Sequence, residues 1–110
     1  MYKGMGFGGG NMQQLMRQAQ KMQEQMANQM AKAEEELSNT TLTGTAGGGM
    51  VTTEVTGKRE VLRVNIKPEA VDPDDVEMLE DMIVASLNDA LKKAEELEKK
   101  LKGGVNGGMF

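Results

Sequence analysis

The sequence predicts an α+β chain: a helix, a three-stranded antiparallel β-meander and a second helix, paired as a homodimer with projecting helical arms. Three observations carry this. Apolar residues follow a helical period over 11–37, alternate through the stretch 39–67, and return to a helical period after 72. The connections inside the alternating stretch are too short for a crossover, so its strands pair antiparallel. Finally, 110 residues give little core to cover two long helices, and a symmetric second copy is the simplest remedy.

The first helix is expected from Asn11, as N-cap, to Leu37. Met12, Leu15, Ala19, Met22, Met26, Met30, Ala33 and Leu37 recur near every 3.6 residues, and Gln, Lys, Glu and Asn fill the rest. At ~1.5 Å per residue this helix is ~40 Å long, whereas a seven-residue strand spans only ~23 Å. Both helices therefore overshoot the sheet with their apolar stripes still running.

Strands are expected over 40–46, 50–56 and 59–67. Gly47-Gly48-Gly49 breaks the first from the second. Thr56-Gly57-Lys58 is a hairpin turn in which Gly supplies a positive φ. In the last strand Leu62, Val64 and Ile66 share one face, opposite Val61, Arg63, Asn65 and Lys67. The second helix begins with Asp72 as N-cap and Pro73 at its first position, with Asp74 and Asp75 facing the positive end of the dipole. Its stripe is Val76, Leu79, Ile83, Leu87, Ala90, Ala94, Leu97 and Leu101, and Gly103 ends it. Residues 11–102 form one domain; the Gly-rich stretches 1–10 and 103–110 read as flexible tails.

Composition excludes several functions. With no Cys and no His, the chain holds no disulfide, no Cys/His zinc site, and neither a thiol nor an imidazole for nucleophilic catalysis. No cofactor, small-molecule substrate or membrane span is expected, no signal peptide is read at the N-terminus, and the setting is expected to be cytoplasmic. The methionine stripe reads as a helix interface in preference to a Cu(I) site, because no Cys or His joins it. Asp72, Asp74 and Asp75 are explained by capping, and Glu34-Glu35-Glu36 has no EF-hand spacing, so no metal is assigned. Gly47–Gly49 lacks the Lys-Ser/Thr of a phosphate-binding loop.

Charge is unevenly distributed. The formal charge is -4. Residues 34–91 hold four basic and thirteen acidic groups, while Lys3, Arg17, Lys21 and Lys32 face only Glu24 before them. Five Lys and three Glu follow. The helix segments expected at the free ends are both positive. By composition alone, Lys92, Lys93, Lys99 and Lys100 read as a solvated face paired with Glu95, Glu96 and Glu98.

Three segments resemble the YbaB/EbfC family of bacterial nucleoid-associated DNA-binding proteins. They are LMRQAQKMQEQM (15–26), GGGMVTTEVTGKREVLRVNI (47–66) and DPDDVEMLEDMIVASLNDALKKAEEL (72–97), the last being the most specific. The tail GGVNGGMF lacks the Pro-rich ending of many members. The resemblance implies a tweezer-shaped homodimer that binds double-stranded DNA at the nucleoid and carries no enzymatic activity. It also turns the lysines into candidate phosphate contacts. The expected set is Arg17, Lys21, Lys92, Lys93, Lys99, Lys100 and Lys102 toward the arm tips, with Lys58, Arg59 and Arg63 as a second set on the sheet. With three Arg in the chain, sequence preference is expected to be weak or shape-based. The alternative function is a protein-interaction module whose arms clasp a partner helix.

Overall fold

The computed structural model describes the backbone of residues 2–106 and the side chains of residues 11–103. The order is helix α1 (Tyr2–Asn39), strands β1 (Thr41–Ala46), β2 (Val51–Thr56) and β3 (Val61–Ile66), and helix α2 (Val76–Asn106). Short 3-10 turns, Gly47–Gly49 and Pro68–Ala70, lead into β2 and out of β3. The strands form an antiparallel sheet in the order β1-β2-β3. The α+β meander expected from the sequence is therefore present; the second copy lies outside what one chain shows.

The sheet and α2 make a two-layer core. Val51, Thr53 and Val55 of β2 are fully buried beneath Ser86, Ala90 and Ala94 of α2. Small residues dominate this contact because the backbones lie close. A Cβ on Gly44 of β1 would stand 2.0 Å from the Ser86 carbonyl oxygen and 2.4 Å from the Ala90 nitrogen. The two buried hydroxyls satisfy one another: Ser86 donates to the Ile83 carbonyl at 3.0 Å, leaving Thr53 to donate to Ser86 at 2.7 Å.

Where α1 ends, the hairpin receives it. The Gly57 N–H donates to the Leu37 carbonyl at 2.8 Å, and the Thr40 hydroxyl donates to the Glu36 carbonyl at 2.7 Å, satisfying carbonyls that a helix C-terminus leaves open. Gly57 is required here by proximity, since a Cβ would stand 2.7 Å from that same Leu37 oxygen.

Five local expectations are corrected. First, α1 begins at Tyr2, so Asn11 lies inside the helix and is not its cap; propagation adds one hydrogen bond per residue to an existing helix. Second, α2 begins at Val76, where the Asp75 carboxylate accepts from the Met78 N–H at 3.2 Å. Asp72 instead closes the preceding turn, accepting from the Asp74 N–H at 3.0 Å. Third, α2 continues to Asn106, past Gly103; positions 107–110 of the expected tail lie outside the described residues. Fourth, the left-handed residue of the β2–β3 turn is Arg59 (φ 69°), not Gly57. The Thr56 N–H donates to the Glu60 carbonyl at 2.8 Å, which leaves Gly57-Lys58-Arg59 as the loop; the Arg59 N–H closes it on the Thr56 carbonyl at 2.9 Å, and its third residue takes that conformation. Fifth, Glu54 pairs with Arg63 but Val55 pairs with Val61, so Leu62 is an extra residue in a bulge. Val61, Val64 and Ile66, rather than Leu62, Val64 and Ile66, therefore share the face of the buried β2 residues.

Candidate nucleic-acid interface

The described residues fall into an arm, a root and a body. Ala33 and Leu37 are buried, but the same apolar stripe continues outward uncovered: Met22 is 62% exposed and Met12 60%. At 100° per residue, Arg17 and Lys21 lie on the opposite side of the helix from that stripe. Lys102 of α2 meets Glu34 of α1, so α2 ends opposite about residue 30 and the rest of α1 projects alone. The molecule measures 86 × 23 × 16 Å.

The two positive segments consequently do not meet at the tips. Arg17 lies seventeen residues beyond Glu34, a helical rise of ~26 Å from Lys102. Lys99 and Lys100 stand near the root, and Lys92 and Lys93 lie over the body. The body's far end, around the start of α2, is acidic: Asp72, Asp74, Asp75, Glu77, Glu80 and Asp81 cluster there. Among the described residues no group of three acidic side chains is arranged to hold a metal ion.

Partners separate the ten candidate cations into two kinds. Lys99 pairs with Glu95 at 3.3 Å and Arg63 with Glu54 at 3.6 Å. Lys93 donates to the Thr43 carbonyl at 2.7 Å and stands 3.7 Å from Asp89. Lys58 pairs with Glu34 and Arg59 with Glu98, each at 3.0 Å. Lys102 bridges Glu34 and Glu98 with its side chain only 19% exposed. Among the described residues, no ion pair engages Arg17, Lys21, Lys92 or Lys100. Lys32, on the arm and not a candidate from sequence, is equally unengaged and exposed.

Electrostatics at the root follow from this crowding. Hydrogen bonds from Lys102, then Lys58, hold the Glu34 carboxyl below its ordinary value of 4.5. Lys102, with Arg59 beyond it, does the same to Glu98. The two carboxylates, Glu34 foremost, raise Lys102 above 10.5. Lys102 is thus a structural cation. Its charge makes it a candidate in the sequence, which carries no signal for its pairing with Glu34, sixty-eight residues away.

The YbaB/EbfC DNA-binding family model matches residues 8–109 of the chain. A nucleoid-associated protein of Clostridium acetobutylicum is 52% identical over 105 residues, covering 92% of this chain and 90% of the relative. One from Ruminiclostridium cellulolyticum is 50% identical over 115 residues, covering 99% and 96%. The crystal structure of an uncharacterized protein from Helicobacter pylori superposes with a TM-score of 0.70 at 27% identity, over 80% of this chain and 92% of that one. With fold, sequence and family model in agreement over nearly its whole length, the chain belongs to the YbaB/EbfC DNA-binding family.

Proposed function

We propose that the protein binds double-stranded DNA at the nucleoid, in the cytoplasm, as a homodimer, mainly through phosphates. The observation that carries this, beside the family, is that four of the ten candidate cations are exposed and without ion-pair partners: Arg17 and Lys21 on the arm, Lys92 and Lys100 on α2. Each is free to exchange counterions for phosphate, while the acidic end of the body turns the duplex away from itself. Phosphate interactions fix position and carry little sequence information, so preference is weak or shape-based. Chromosome organisation and gene expression are the processes such binding would affect, and no catalytic step belongs to this reading.

The dimer reading rests on β3. Its inward face is not covered by α2: Val64 is 42% exposed, and the neighbouring flank of α2 presents Val84, 56% exposed. Two such surfaces bury one another in a symmetric pair from which the arms project. The rival reading, a clasp for a partner helix, uses the exposed Met stripe of the arms.

Fluorescence anisotropy on a duplex of mixed sequence across a salt series tests the proposal. Removing one phosphate-neutralising cation should flatten the slope of log affinity against log salt by about 0.9. Changing Arg17, Lys21, Lys92 and Lys100 to Gln is expected to weaken binding to all duplexes alike and to flatten the slope. The same test on Lys58, Arg59 and Arg63 measures the sheet set. Unchanged affinity and slope in both would sink the phosphate reading and favour the clasp.

A further inference from the structure

The root of the arm carries an arrangement that DNA binding does not require. Lys58, Glu34, Lys102, Glu98 and Arg59 form an unbroken chain of alternating charges. Its two ends are adjacent residues of the β2–β3 turn, so the chain closes into a ring through the backbone. Three elements, α1, α2 and the hairpin, meet in it. Arg59 holds a left-handed backbone conformation, unusual outside Gly, Asn and Asp, at the position from which its guanidinium reaches Glu98.

The ring stands beside a pivot. The Gly57 N–H on the Leu37 carbonyl, with no room for a Cβ between them, fixes one point of α1 against the hairpin. Glu34 is three residues further out, ~4.5 Å along the axis, and Arg17 is twenty residues out, ~30 Å. The helix is therefore a lever with a ratio of roughly six to seven, and a shift of ~1 Å at Glu34 displaces Arg17 by ~6–7 Å. Outward of Met30, no other element among the described residues steadies it.

We infer that this ring is a charge latch that sets the direction of the α1 arm relative to the body, so that ionic strength governs the arm's angular spread. Surface ion pairs contribute little to folding stability. A latch needs far less, because it has only to favour one arm angle over its neighbours at a pivot that remains closed. Screening weakens it, since the Debye length falls from ~10 Å at 0.1 M to ~3 Å at 1 M salt. The latch acts in the free protein, whether or not the arm grips DNA.

Absence of cysteine makes the test direct. Gln20→Cys on the arm and Asn88→Cys on the outer face of α2 accept spin labels, and dilution with unlabelled chain leaves one labelled copy per assembly. Pulsed electron–electron resonance then reads the arm-to-body distance. At 0.05 M salt a single narrow distribution is expected, and at 1 M salt one at least twice as wide. Glu34→Gln and Lys102→Met should reproduce the wide distribution already at low salt, with circular dichroism unchanged. A distribution of the same width at both salt concentrations overturns the latch, as do folded Glu34 and Lys102 variants as narrow as the native protein.

Discussion

The two edges of the sheet are finished in opposite ways. At β1, the Thr45 N–H donates to the Asp89 carboxylate at 3.0 Å and the Thr43 carbonyl accepts from Lys93 at 2.7 Å. Both side chains come from the polar flank of α2 and occupy backbone groups that a foreign strand would use. At β3, Val61 and Val64 remain exposed, as does Val84 of α2. One helix thus seals one edge and leaves the other open. The contrast bears on the proposed dimer: backbone groups at β1 are already occupied by charged side chains, whereas β3 offers apolar surface that a second copy would cover.

The largest effect should come from breaking the sealed side at its centre. Gly44→Ala places a Cβ 2.0 Å from the Ser86 oxygen. Since backbone stands in the way, α2 must lift, and a loss of ~3 kcal/mol or more is expected in urea denaturation. The open side should respond differently. Val64→Lys is expected to leave the fold intact, because the position is exposed, while weakening self-association tenfold or more through the cost of burying charge. Sedimentation equilibrium distinguishes the two outcomes, and an undiminished dimer would show that β3 is not the interface.

Lys93→Met strips the Thr43 carbonyl of its partner and should cost ~1 kcal/mol, and paired with Asp89→Ala it should expose β1 and raise light scattering at high concentration. Asp75→Ala removes the cap of α2 and is expected to cost ~1 kcal/mol, with Asp72→Ala costing less, because Asp72 supports only the turn ahead of the helix. The smallest effect is on pH. Glu34 and Glu98 are depressed in the folded state, so their contribution is present above 4.5 and lost as pH falls through their folded values. Lys102 is raised, so its contribution is complete below 10.5 and lost at higher pH. Solvent screening keeps each end of that plateau shallow, and thermal melts of Lys102→Met should lose the alkaline limb.

Much of the architecture was legible because it depends on periodicity. The Met/Leu spacing of 12–37 and the alternation of 51–55 each fix an element without reference to neighbours. Boundaries were less legible where several local signals competed. Asp72 followed by Pro73 reads as the start of α2, yet the turn after Ala70 uses Asp72 for itself and Asp75 caps the helix. Gly57 resembled a positive-φ turn residue, but its lack of a side chain serves the approach of Leu37.

The candidate cations show the same division. Their identity and uneven distribution along the chain are properties of sequence, and so is the family resemblance carried by 72–97. Which of them remain unpaired is not, because a salt bridge depends on distance in space. Glu34 and Lys102, or Arg59 and Glu98, are brought together only when both helices dock on the hairpin.

The order of elements, the antiparallel meander, the apolar stripes and the lack of thiol and imidazole chemistry each follow from local periodicity or from residue type. Tertiary structure alone decided the bulge at Leu62, the close seat of α2 on Gly44, the sealed and open edges, and the separation of structural from unpaired cations. These depend on how far α2 reaches along α1 and on which flank it turns to each strand, quantities fixed by packing between residues distant in the chain.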